Sequence, residues 1–408
     1  MTYDEPAYRR RDFGDTEAYG DTDGGITRTQ RVSAAALDDV FDDPAHGEPG
    51  RDRLAVHVLW EILLLVAVVA LGFLLYRTQA SALRGQALKT LLVSAAALGL
   101  LTLGAGVTLR AAVPNLALGP VAVAAGLHFA ENGDRGVVPA MTPAVLAAAG
   151  LGLAVTLLVV GFHVPSWAAS LAAALGVIVF IQQRTAPVRV QGEYDPRGTA
   201  LYLFGGFAAL AVLGGLFGMI KPIRRMVGRF RPVADPARRR GAGGGVVAGA
   251  AMVASMVLAT GAGLLMAANG SGPVRPVTGL EWTGLAIGAA LVGGTSAYGR
   301  RGGIFGTLLS VLLVTLFLRY SDLKNWDIAL GATAAVVLAG GLVVTRLVET
   351  FGRPRVVAPV DGDWAAETDN DWSDPAERSD SWSATLPAQP GKPRPDPWDA
   401  DRWGSADR

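Results

Sequence analysis

Ten long, mostly apolar stretches lie between residues 54 and 345, and no other feature restricts the possible folds of this chain so strongly. A hydrocarbon layer about 30 Å thick is crossed by roughly 20 residues of helix, because backbone amides in that layer must find their partners within the chain. The stretches run 54–76, 90–109, 112–130, 143–164, 166–183, 199–220, 244–268, 277–298, 303–318 and 326–345. They predict an all-α, polytopic transmembrane bundle of about ten spans over residues 54–350. Residues 1–53 and 351–408 lie outside it.

Charge follows the same division. Residues 1–53 and 356–408 together carry 25 acidic and 12 basic side chains, whereas the middle of the chain carries 24 basic and 10 acidic ones. Acidic tails containing proline and serine bury too little apolar surface to offset the entropy of ordering, so both are expected to be disordered. The N-terminal tail lacks the basic start and short apolar run of a cleavable signal, so the first span is expected to direct insertion. With an even number of spans both termini share one side. Cytoplasmic termini put 16 basic residues inside against 10 outside, including the dense run KPIRRMVGRFRPVADPARRR, and this favours a multi-pass protein of the cell membrane with both ends in the cytoplasm. Trp60, Trp167, Trp282 and Trp326 fall near span ends, where indoles anchor to the interface. The five remaining tryptophans lie in the C-terminal tail.

Two spans are chemically unlike the rest. The third holds Pro114, Asn115, Gly119 and Pro120, which an unbroken helix does not accommodate. The eighth holds Glu281 and then Gly293, Gly294, Thr295 and Ser296. Each is the third span of its half when the chain divides five plus five, and an odd number of spans per half inverts the second half relative to the first. Paired interrupted helices in inverted halves point to a transport site near the membrane midplane. Asn115, Glu281, Thr295 and Ser296 are therefore the expected solute pathway, with the breaks at Pro114, Gly119, Pro120, Gly293 and Gly294. Close packing of small residues is the alternative explanation of such breaks.

The segment LEWTGLAIGAALVGGTSAYGRRGGIFGTLLSVLLVTLF, residues 280–317, resembles a signature of ABC permeases of the ribose and branched-chain amino acid type. In that family an acidic residue precedes an apolar run, Gly-Gly-Thr-Ser, a Gly-rich turn and a further span. PNLALGPVAVAAG, residues 114–126, is similar to the family's Asp-Leu-Ser-x-Gly segment, with Asn115 where many members carry a carboxylate. VPSWAASLAAALGVIVF, from Val164, resembles a third family region. The resemblance implies the membrane-spanning subunit of an importer for a small polar solute such as a sugar. Its implied partners are a cytoplasmic ATP-binding-cassette ATPase, an extracytoplasmic solute-binding protein and a second copy or related permease chain, all assembled at the lipid bilayer. It also implies that the central loop docks the ATPase, through Arg224, Arg225, Arg229 and Asp235. That loop reads VGRFRPVADPARRRGAGGG instead of the family's usual Gly-Gly-Asn pattern, and retention of positive charge in the cytoplasm explains its composition equally well.

Other chemistries lack their residues. There is no cysteine, so no disulfide, thiol nucleophile or thiolate metal site. No phosphate loop of the form Gly-x-x-x-x-Gly-Lys-Ser/Thr occurs, so ATP must be hydrolysed on another chain. The four histidines have no zinc-ligand spacing; no metal, cofactor or nucleic-acid partner is expected, and no enzymatic activity. His57 and Glu61 share a helix face in the first span and could act as an acid/base pair on a lipid. A scaffold that recruits partners through its acidic tails is the other alternative.

Overall fold

The computed structural model describes residues 54–219, 241–296 and 304–352, and these contain ten α-helices and no β-strand. In chain order they are α1 Leu54–Thr78, α2 Gly85–Arg110, α3 Leu118–Asn132, α4 Val137–Thr156, α5 Ser166–Gln182, α6 Ala200–Met219, α7 Gly241–Asn269, α8 Leu280–Val292, α9 Gly306–Leu323 and α10 Leu330–Gly352. Among the described residues, seven helical stretches are long and apolar enough to cross a membrane. Of the three shorter helices, α3 (15 residues) and α8 (13 residues) reach only about 22 and 20 Å at 1.5 Å per residue. The fold is that of a multi-pass helical membrane protein. The tails and the loop carrying Arg224, Arg225, Arg229 and Asp235 lie outside the described residues.

Most elements fall within a few residues of their apolar runs. The third does not: residues 111–117 leave the helix, and α3 begins only at Leu118. Pro120 then falls in the first turn, where its missing N–H is one the helix would not have used, so it does not interrupt α3. The break lies upstream, around Pro114 and Asn115. Gly293 and Gly294 likewise do not divide a helix; they stop one, since α8 ends at Val292.

The centre of the bundle is built on α2 and α7. More than half of each apolar window is buried, against 11% for α1, which presents its leucines and valines outward. Small residues permit this contact. A Cβ on Gly263 of α7 would overlap the Ala122 carbonyl of α3, and one on Gly152 of α4 would come within 2.9 Å of Val253 Cα. Since lipid tails are as apolar as leucine, close van der Waals packing of this kind is a main source of helix association in a membrane.

The packing partners show an exchange pattern. α3 packs on α4, α5 and α7, and α4 packs on α7; five helices further along, α8 packs on α9, α10 and α2, and α9 packs on α2. The pairs α2–α7 and α3–α8 map onto themselves. The contacts α1–α9, α2–α6, α1–α10, α4–α5, α6–α9 and α2–α3 have no counterpart of similar extent among the described residues.

Candidate functional site

The two short helices cross at their first turns. A Cβ on Gly119, the second residue of α3, would overlap the carbonyl oxygen of Gly279, which immediately precedes α8; one on Gly279 would lie 2.6 Å from the Gly119 carbonyl oxygen. Gly279 also has φ +76°, a conformation that side chains with a Cβ rarely adopt. The chain therefore needs glycine on both sides of this crossing.

Breaking the backbone at 111–117 exposes amides that lipid cannot satisfy; Asn115 and hydroxyls from two other helices bond them, and a third helix holds Asn115. Asn115, 1% exposed, accepts from the Ala117 N–H at 2.9 Å and donates to Ser255 Oγ of α7 at 2.8 Å. Ser170 of α5 donates to the Pro114 carbonyl at 3.2 Å and accepts from the Leu116 N–H at 3.1 Å. Thr283 of α8 accepts from the Gly119 N–H at 2.9 Å and donates to the Leu116 carbonyl at 3.2 Å. The preceding helix ends with Ala112 in the left-handed region at φ 54°, while the Ala112 and Val113 N–H groups return to Leu109 and Thr108. Sequence spacing gave no sign of Ser170, Ser255 and Thr283, although an isolated hydroxyl in an apolar span is the type of residue that could have prompted the search.

Glu281 stands in the first turn of α8, half-buried, with no side-chain partner among the described residues. Its charge complements the positive end of the helix dipole. Asn115 and Glu281 thus belong to the same crossing. Thr295 and Ser296 do not: both are buried at the opposite end of α8, about 20 Å along the helix. There Gly294 at φ +86° closes the helix, with the Gly294 and Thr295 N–H groups donating back to Leu291 and Ala290. The Thr295 hydroxyl is buried without a partner among the described residues. Gly293 meets Gly306 of α9 so closely that a Cβ on either would clash with the other's backbone.

The first helix fastens that end. Trp60 Nε1 donates to the Val292 carbonyl at 2.7 Å, and Glu61 Oε1 accepts from the Phe305 and Gly306 N–H groups at 2.7 and 3.1 Å. A carboxylate from α1 therefore caps the N-terminus of α9, which accounts for an ionisable residue in this span. Glu61→Ala should cost about 1–2 kcal/mol, as loss of a cap does. It should be read as faster hydrogen exchange at the first amides of α9, with Glu61→Gln intermediate. Trp282, in contrast to Trp167 and Trp326, is not a peripheral anchor; it packs among buried residues of three apolar clusters.

At the other face of the bundle the ends of α3 and α5 are joined by a two-pronged ion pair, Arg184 Nε to Glu131 Oε1 at 2.6 Å and Arg184 Nη2 to Oε2 at 2.8 Å. The segment that follows pairs with the one preceding α8 through Val188 and Val274. Among the described residues no group of histidines and carboxylates could hold a metal ion.

Fold and site together define a multi-pass helical membrane protein with two short helices that meet at their starts, each preceded by irregular backbone. Over 63 residues, 15% of this chain, the sequence is 49% identical to the probable ABC transporter permease protein YphD of Escherichia coli (strain K12), covering 18% of that protein. The match thus spans about a fifth of the relative's length. No known family profile matches the chain, and no solved structure matches it.

Proposed function

We propose that this chain is the membrane-spanning permease subunit of an ATP-binding-cassette importer of the ribose and branched-chain amino acid type, carrying a small polar solute, a sugar, across the cytoplasmic membrane. One observation supports this most: α3 and α8, each too short to cross the membrane and each preceded by irregular backbone, meet at their first turns. Non-helical backbone is tolerated at such depth only where protein packs on it or water reaches it. The exchange of packing partners five helices apart favours two inverted five-helix halves with this crossing between them. The 63-residue likeness to a permease, together with the absence of a phosphate loop, favours an energy source on another chain.

In this reading Glu281 flanks the solute's route at the crossing, Asn115 holds the turn that shapes it, and Thr295 and Ser296 border it beyond α8. Pro114 shapes the break before α3, Gly119 allows the close approach of α3 to the start of α8, and Gly293 and Gly294 end α8. Arg224, Arg225, Arg229 and Asp235 form the ATPase-coupling loop on the cytoplasmic side, where both termini also lie. A secreted solute-binding protein delivers the solute, and a second permease chain completes the assembly.

The test is affinity purification of the full chain from its native membrane in mild detergent. An ATP-binding-cassette ATPase should co-purify, and Arg224→Glu/Arg225→Glu should release it. Recovery of no ATPase, with partners that disappear on deletion of residues 356–408, would replace the importer with a scaffold.

A further inference from the structure

A cavity of about 330 Å³ opens between α2, α8 and α9, at the lower end of the ~300–1,000 Å³ typical of ligand pockets. Its wall carries Thr90 and Ser94 from α2, Trp282 from α8, and Thr315, Arg319 and Asp322 from α9. The last three stand at i, i+4 and i+7, so they share one face of α9, which turns a polar stripe toward the cavity. Both charged residues stand in the last turns of α9, Arg319 half-buried and Asp322 exposed, with the cavity beside them. Arg319 and Asp322 have no side-chain partner among the described residues, nor do the Trp282 indole N–H and the Thr90 hydroxyl. Ser94 is held from behind: Asn269 Nδ2 donates to its oxygen at 3.0 Å, which leaves the Ser94 proton free to be donated. Asn269 itself is anchored on the Thr90 carbonyl at 3.0 Å and by Arg197 Nη2 on its own carbonyl at 3.1 Å.

We infer that this cavity binds a small, neutral, polyhydroxylated solute, an inference that rests on the permease reading only for the solute's onward passage. A guanidinium and a carboxylate one turn apart leave the site formally neutral, so an anion or a cation would meet one like charge at close range. Vicinal hydroxyls both donate and accept. They fit a planar guanidinium donor fork beside a carboxylate acceptor, with serine and threonine hydroxyls opposite. Trp282 adds a flat apolar surface for the C–H face of a sugar ring and an N–H at its edge.

The full chain in lipid nanodiscs, without any partner, is equilibrated with radiolabelled D-ribose, D-glucose and myo-inositol, and with glycine and L-leucine for comparison. At least one of the three polyols should bind one per chain above empty nanodiscs. Arg319→Gln and Asp322→Asn should each weaken that binding at least tenfold, and Trp282→Phe should weaken it less than Trp282→Ala. Arg77→Gln, at an exposed helix end outside the cavity, should leave it unchanged. Each variant is first matched to the parent by helical circular dichroism and elution volume, and Arg319→Lys replaces any that fails. Binding confined to the amino acids, no polyol binding, or polyol binding that both charge substitutions leave within twofold would overturn the inference. Polyol binding without a co-purifying ATPase keeps the site and removes the importer; an ATPase without polyol binding does the reverse.

Discussion

Gly119→Ala is expected to abolish recovery of folded, monodisperse protein from detergent extracts. The added carbon would overlap the Gly279 carbonyl and lie 2.8 Å from the Thr283 amide nitrogen. Both are backbone atoms, so relief requires the two helices to part. Parting them also breaks the Gly119 N–H to Thr283 hydrogen bond and the Thr283 to Leu116 bond, leaving buried amide groups at about 1–3 kcal/mol each. Overpacking adds about 1–3 kcal/mol more. The sum takes most of the 5–15 kcal/mol that stabilises a typical domain. Gly106→Ala, on α2 with open space around the new carbon, is the matched control and should be near neutral. A Gly119→Ala protein with parental elution volume and melting temperature would show that the crossing opens at little cost and does not organise the bundle.

The ranges of the helices were readable because an apolar run of span length has few alternatives in a membrane, and the ten runs correspond to the ten helices described. The start of α3 was not. Ala111, Ala112, Val113 and Leu116 look like continuing span, and what turns the chain there is the set of hydroxyls and the amide that capture its backbone groups. Ser170 and Thr283 stand 54 and 164 residues from the groups they capture, and Ser255, which holds the Asn115 amide, 140. No local periodicity carries that information. The role of Glu61 was hidden in the same way: a carboxylate next to a histidine on one helix face reads as acid/base chemistry until the N–H groups of Phe305 and Gly306, 244 and 245 residues on, are seen to meet it.

The candidate pathway residues divide along the same line. Composition picked out the interrupted helices because proline and glycine are rare enough in spans to be noticed. It did not distinguish a polar group that serves the protein's own backbone from one left open to a solute. Asn115 has both ends of its amide engaged, whereas Glu281 has no partner among the described residues. The polar stripe on α9 escaped notice because Arg319 and Asp322 sit where a span is expected to end, and charges there are ordinary. Only the cavity beside them, with Trp282 as its far wall, gives the spacing a meaning.

Asn115→Asp should destabilise the protein by about 3 kcal/mol or more at neutral pH, although it exchanges one amide nitrogen for an oxygen of nearly the same size. The orientation of the amide is fixed by its surroundings: the Ala117 N–H can only donate, so Oδ1 faces it, and Nδ2 faces Ser255. Ser255 Oγ already gives its proton to the Met252 carbonyl at 2.7 Å, and therefore meets Nδ2 with a lone pair. An aspartate would present a second lone pair to that oxygen. It would also place a charge in a site 1% exposed, where no basic side chain is among its partners. An unpaired buried charge left by removing its partner costs about 3–5 kcal/mol, and Asn115→Ala, which loses the bonds without adding charge, should lie nearer 1–3 kcal/mol. The measurement is thermal unfolding of the detergent-solubilised chain followed by intrinsic tryptophan fluorescence, with Asn115→Ala and Ser255→Ala alongside. Ser255→Ala in the Asn115→Asp background should recover part of the loss, because it removes the opposed lone pair. An aspartate variant as stable as the parent would mean that water or a cation reaches position 115, and that the amide faces an open route instead of a sealed turn.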